Sequence, residues 1–172
     1  MQQFLRIFLD IVLWRRGPQD LPASRLLLGL ATAAYVAASV GQLALLGESA
    51  ATWFFFVVLD PLLLLAWAWL VLRIFGHRER YVQTATAVLG ANAVLGFAIY
   101  LPLQMLLAAL GQDPQSGLAQ VVALVQVVVF ALVTGRILKF ATDSSLFTGI
   151  AMSLTYVLLV IMVMGLLRGP GG

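Results

Sequence analysis

Five long apolar runs, each closed by polar or helix-breaking residues, divide the chain at about 24–46, 52–75, 82–110, 118–140 and 146–167. Each is long enough to cross a bilayer, which takes roughly 20 helical residues. The breaks between them are short (GESAAT, GHRERY, GQDPQSG and ATDSS) and hold most of the polar residues. The pattern predicts an all-α polytopic membrane bundle of five transmembrane helices. The third run is the longest and contains Pro102, so it is expected to tilt, to bend at that proline, or to leave the hydrocarbon layer in part.

Residues 3–15 follow a different pattern. Gln3, Arg6 and Asp10 share one helical face, with Arg6 and Asp10 four apart and able to pair, while Phe4, Leu5, Phe8, Leu9, Val12 and Leu13 take the rest. The run is too short to span, and Trp14, Arg15 and Arg16 suit a headgroup boundary. An amphipathic interfacial helix is expected here, followed by a proline-bearing hinge, GPQDLPAS, that completes an amino-terminal segment over 1–23. The positive charge comes mostly after the apolar run, so the segment does not read as a cleavable signal. Residues 169–172 read as a disordered tail after a membrane domain over 24–168.

Composition agrees with lipid as the main solvent: 62% of the 172 residues are hydrophobic and 10% charged. A soluble domain carries about 25% charged residues. The net charge of +3 is distributed by topology and gives no reason to expect nucleic acid. With the amino terminus in the cytoplasm, that side holds Arg6, Arg15, Arg16, Arg25, Arg73, Arg78, Arg80, Arg136 and Lys139, and the far side holds Arg168. Nine against one is the asymmetry that the positive-inside rule describes, and it places the carboxyl terminus outside. The predominance of Arg over Lys and the Ala/Leu richness suggest a bacterium with a GC-rich genome, hence the inner membrane. Cysteine is absent and His77 stands alone, so no metal site and no cofactor is expected.

Candidate chemistry centres on Asp60, which lies inside the second run and is followed by Pro61. An acid in mid-membrane costs about 2.5–3.5 kcal/mol on insertion scales, so it calls for a partner or a purpose. Pro61 cannot donate to the carbonyl of Val57, which leaves an acid and a freed carbonyl one turn apart. By helical rise, Asn92, Gln126 and Tyr156 fall at similar depth in the third, fourth and fifth runs and offer donors. No Lys or Arg shares that level. A neutral, hydrogen-bonded Asp60 joining helices is the first expectation, and a carboxylate used in proton-coupled transport the second. No catalytic residue is expected: Ser153, Thr155 and Tyr156 have no base beside them, and His77 lies in a loop.

Two further features bear on partners. Gly29, Ala33, Ala37 and Gly41 form a ridge of small residues four apart, a seam against which another helix can pack closely. Ala119, Ala123, Ala131 and Gly135 make a similar set in the fourth run. Arg15, Arg16, Arg73, Arg78 and Arg80 suit anionic headgroups or a cytoplasmic partner.

The amino-terminal segment with its hinge WRRGPQDLPAS, the five closely spaced spans and the small-residue third span QTATAVLGANAVLG resemble the Yip-type family of five-span membrane proteins, its bacterial members above all. The chain carries GPQDLP where eukaryotic members carry a DLYGP-type motif, so the resemblance does not extend to a link with small GTPases. It implies a non-enzymatic membrane organiser or adaptor. The expected function is that of a scaffold, adaptor or accessory subunit that associates with other membrane proteins or with itself. The alternative is a small transporter or channel built on Asp60, against which the odd number of spans and the lack of an internal repeat speak.

Overall fold

A computed structural model describes residues 2–46, 49–113 and 116–168, with the backbone alone for residues 2–5, 51 and 168. The expected disordered tail at 169–172, the turn residue Glu48 and the side chains of Gln3, Phe4, Leu5 and Arg168 lie outside the described residues. Helix α1 covers Gln2–Val12. Five helices long and apolar enough to cross a membrane follow: α2, Arg25–Leu46; α3, Thr52–Ile74; α4, Arg78–Ala109; α5, Gly117–Thr142; and α6, Leu146–Leu167. No strand occurs among the described residues. Short connections make successive spans antiparallel, so the bundle has an amino face and a carboxyl face. The amino face carries the α3–α4 and α5–α6 turns, and the carboxyl face the ends of α2, α4 and α6.

The fifteen-residue stretch Tyr81–Leu95 within α4 is buried along most of its length, with Thr84 through Ala93 all inside. Ala85, Ala87, Gly90, Ala91 and Ala93 let neighbours approach from every side, which is how helices gain van der Waals contact in lipid. Helices α1, α2, α3 and α5 all pack on this central rod, and α6 packs chiefly on α5. The α5–α6 crossing is close. A side chain at Gly149 would collide with the main-chain oxygen of Gly135, and a Cβ on Gly135 would lie 2.8 Å from Ile150 Cα. Ser153 ties the pair by donating its hydroxyl to Ala131 O at 2.9 Å and to Ile150 O at 2.8 Å.

Two of the spans are not uniform α-helix. In α3, Phe55–Leu59 form a π turn, and Asp60 N–H reaches back to Phe55 O. In α4, Gly96–Tyr100 do the same, with Leu101 N–H bonded to Gly96 O. Each π turn is followed within two residues by a proline, Pro61 or Pro102, which has no N–H to bond the carbonyl four residues back. Widening the turn is one way a helix absorbs that loss. The lost bond expected at Pro61 thus coincides with a local change of helix type, and the long third span carries the same change before Pro102. At 32 residues, α4 is about 48 Å long, some 18 Å beyond the hydrocarbon thickness.

Helix α1 binds on the first half of α4. Phe8 and Ile11 are buried against α4, and a Cβ on Gly90 would fall inside the Phe8 ring. Leu9 within α1, and Leu13 and Trp14 just after it, stay exposed. The amphipathic helix therefore spends one apolar edge on protein and leaves a second for lipid. Asp10 pairs with Arg16 at 3.3 Å, not with Arg6, because the chain turns back at Trp14, whose φ is +64°. The hinge continues the cover: Leu21 is buried, and its carbonyl accepts Gln83 Nε2 at 2.9 Å.

Candidate functional site

Asp60 is 3% exposed and holds three spans together. Tyr35 of α2 donates its hydroxyl to Oδ2 at 2.5 Å, and Tyr156 of α6 donates to Oδ1 at 2.6 Å. The Tyr156 hydroxyl also lies 3.1 Å from the main-chain oxygen of Asp60. Both carboxyl oxygens are thus met by phenols, and no cation touches them among the described residues.

Of the four residues predicted to cluster, Asp60 and Tyr156 touch. Asn92 turns instead to Val88 O at 2.8 Å and Thr134 Oγ1 at 3.1 Å, linking α4 to α5. Gln126 offers its main-chain oxygen to Tyr100 at 3.1 Å. Asn92 Oδ1 and Gln126 Nε2 are buried and have no partner among the described residues. Tyr35 is the member that reasoning from the sequence passed over. Its signal was available: it sits in mid-span with a donor hydroxyl at the depth of the acid.

All four predicted residues nevertheless line one cavity of about 470 Å³, within the range of small-molecule sites. It lies between the two π-turn segments and the facing sides of α2, α5 and α6, and reaches from Asp60 and Asn92 to Leu46, Gln104 and Ile161 on the carboxyl side. Its walls hold five aromatic residues, Tyr35, Phe56, Tyr100, Phe130 and Tyr156, with the Phe130 and Tyr156 rings 6.0 Å apart. Ser39, Gln42, Gln104 and Gln126 add neutral polar groups. Asp60 is the one ionisable acid on the wall, and no Lys, Arg or His joins it among the described residues. Among the described residues no three His, Asp or Glu converge as metal ligands would.

The predicted small-residue ridge does not serve the bundle evenly. Gly29, Ala33 and Ala37 are exposed, with open space beside Gly29, whereas Gly41 meets Leu101, 3.3 Å from where its Cβ would stand. Helix α2 packs on α4 through Leu27, Ala31, Ala38 and Leu43 instead. In α5 the small residues Ala131 and Gly135 do face α6, whereas Ala123 borders the cavity.

The candidate headgroup arginines also differ among themselves. Arg15 and Arg78 are exposed, and Arg73 stacks over Trp69, 5.0 Å from the ring centre. Arg16 is engaged by Asp10. Arg80 reaches across to the end of α5, bonding Phe140 O at 3.2 Å, Ala141 O at 3.4 Å and Asp143 Oδ2 at 2.9 Å. His77 lies between Glu79 and Asp143, at 3.5 and 3.6 Å. Sequence reasoning did not foresee that Arg136 packs between the rings of Trp14 and Phe140, each about 5 Å away, joining α5 to the end of α1. No family model, curated protein or solved structure matches the chain.

Proposed function

We propose that the protein is a small, non-enzymatic transport protein of the bacterial cytoplasmic membrane, with its amino face in the cytoplasm and Asp60 at the floor of its binding site. One observation carries this reading: two adjacent spans are each widened by a π turn before a proline, and the cavity between them contains a buried acid. Paired interrupted helices around a mid-membrane polar site are how membrane carriers commonly expose a ligand site without exposing unpaired backbone to lipid. The nine-to-one split of basic residues supports the orientation.

The absence of cysteine makes a direct test simple. In Gln42→Cys and Ser39→Cys, the new thiol sits on the cavity wall and reports its contact with water. A membrane-impermeant thiol reagent should modify Gln42→Cys from the carboxyl face, and the deeper Ser39→Cys more slowly. If both thiols stay inert from either side in native membranes, the cavity is sealed and the transport reading fails.

A second reading has its own observation. Gly29, Ala33 and Ala37 form an exposed small-residue strip on α2, with open space beside Gly29. Such a strip suits close contact with another membrane helix, in keeping with the resemblance to Yip-type organisers. Ala33→Leu would leave the fold and thermal stability intact yet remove any self-association or co-purifying membrane partner. An unchanged assembly would discard this reading.

A further inference from the structure

Resting on the transport reading, we infer that the cavity binds a lipophilic organic cation. The wall carries one acid and no base, so an occupant that brings positive charge can be matched by ionisation of Asp60, and one that brings negative charge can be matched by nothing on the wall. An anion would therefore sit in a low-dielectric site without compensation, which is costly. The titratable groups that face Asp60 are Tyr35 from α2, Tyr100 from α4 and Tyr156 from α6, and α5 contributes only the neutral Gln126. None of these supplies a cation that would already neutralise the acid.

The five aromatic side chains argue for an organic over an inorganic cation. Their faces attract positive charge that is spread over an apolar body, as in quaternary ammonium or phosphonium groups. A hard metal ion needs about six oxygen ligands, whereas this wall is mainly hydrocarbon and carries a single carboxyl. A volume of about 470 Å³ is more than a bare ion needs and suits a compact aromatic or branched cation. The two phenols also suit an acid whose charge state changes. Each can donate to Asp60 when it is ionised, and either can accept from it when it is protonated.

The test uses tetraphenylphosphonium and tetraphenylborate, which share size and shape but not charge. Binding of each to the full chain in lipid nanodiscs is measured against empty nanodiscs of the same lipid. Wild type should bind tetraphenylphosphonium saturably at one site per chain, and tetraphenylborate should neither bind nor compete. Asp60→Asn should weaken phosphonium binding tenfold or more. Because Asp60 also joins three helices, Gln104→Arg serves as a second variant: it adds a cation to the cavity wall and leaves the Asp60 hydrogen bonds alone. It should weaken phosphonium binding to the same degree and admit the borate. Equal phosphonium affinity in wild type and Gln104→Arg overturns the inference. So does binding of the borate, or of a neutral amphiphile, in preference to the phosphonium; the transport reading then survives with another substrate. If no probe binds and the cavity thiols are inert, both fall.

Discussion

Asp60 is held by two phenols on different helices, and the energy of that arrangement decides how much it contributes to the fold. A hydrogen bond to a charged group is worth about 1.5–3 kcal/mol in soluble proteins. Interhelical polar contacts in membranes average about 0.6 and reach about 1.7 kcal/mol, because the separated helices find other partners. The near-complete burial of Asp60 favours the upper part of the membrane range. Tyr35→Phe and Tyr156→Phe are therefore each expected to cost about 1–2 kcal/mol in unfolding from mixed micelles. Their effects should not add, since both act on one carboxyl. Additive losses would mean that the phenols stabilise the bundle independently of the acid. The acid and Tyr156 were legible from depth alone. Tyr35 was equally legible, about 16 Å from the end of α2 against about 12 Å for Asp60 in α3, in a span whose small-residue ridge is its more regular pattern. Depth says nothing of rotation about the helix axis, which is why Asn92 was expected at Asp60 and is found on Thr134.

Among the helices, length and polarity set the number of spans, whereas small residues and prolines set how they meet. The five runs were readable because each is an unbroken apolar stretch. The π turns were not, because a proline states only that one hydrogen bond is missing; packing decides whether the helix kinks or widens. The faces were hard to read for a related reason. In lipid both the packed and the exposed sides are apolar, so hydrophobic periodicity, the guide in soluble helices, is weak here. Gly29 and Gly149 illustrate the consequence, for only the second is in tight contact. Gly149→Ala would push against the backbone of Gly135, which cannot move like a side chain, and should destabilise by about 1–3 kcal/mol. Gly29→Ala meets nothing within 4 Å and should stay within about 0.5 kcal/mol of wild type. Comparable losses at both positions would imply that the Gly29 face is also covered in the membrane.

For the molecule as a whole, the amino face does two jobs with the same residues: it gathers nine of the ten basic residues, and its side chains close the ends of helices. Arg78 and Arg80 separate these jobs, since they stand in one turn and carry equal charge. Arg78 is exposed, whereas Arg80 bonds the last carbonyls of α5 and Asp143. The ion pair is solvated, with Arg80 36% and Asp143 61% exposed, and contributes at most about 1 kcal/mol. A cation at a helix carboxyl end adds about 0.3–1 kcal/mol. Arg80→Gln should therefore cost about 1 kcal/mol and Arg78→Gln close to nothing. Orientation should respond differently. Either change removes one of nine basic residues on the amino face, too few to reverse a nine-to-one asymmetry. A reporter fused to the carboxyl end and active only outside the cytoplasm should give the same signal in both variants as in wild type. If Arg80→Gln alone inverted that signal while Arg78→Gln did not, insertion would depend on the tie between α4 and α5 and not on the sum of charge, and the orientation argument would have to be rebuilt on packing.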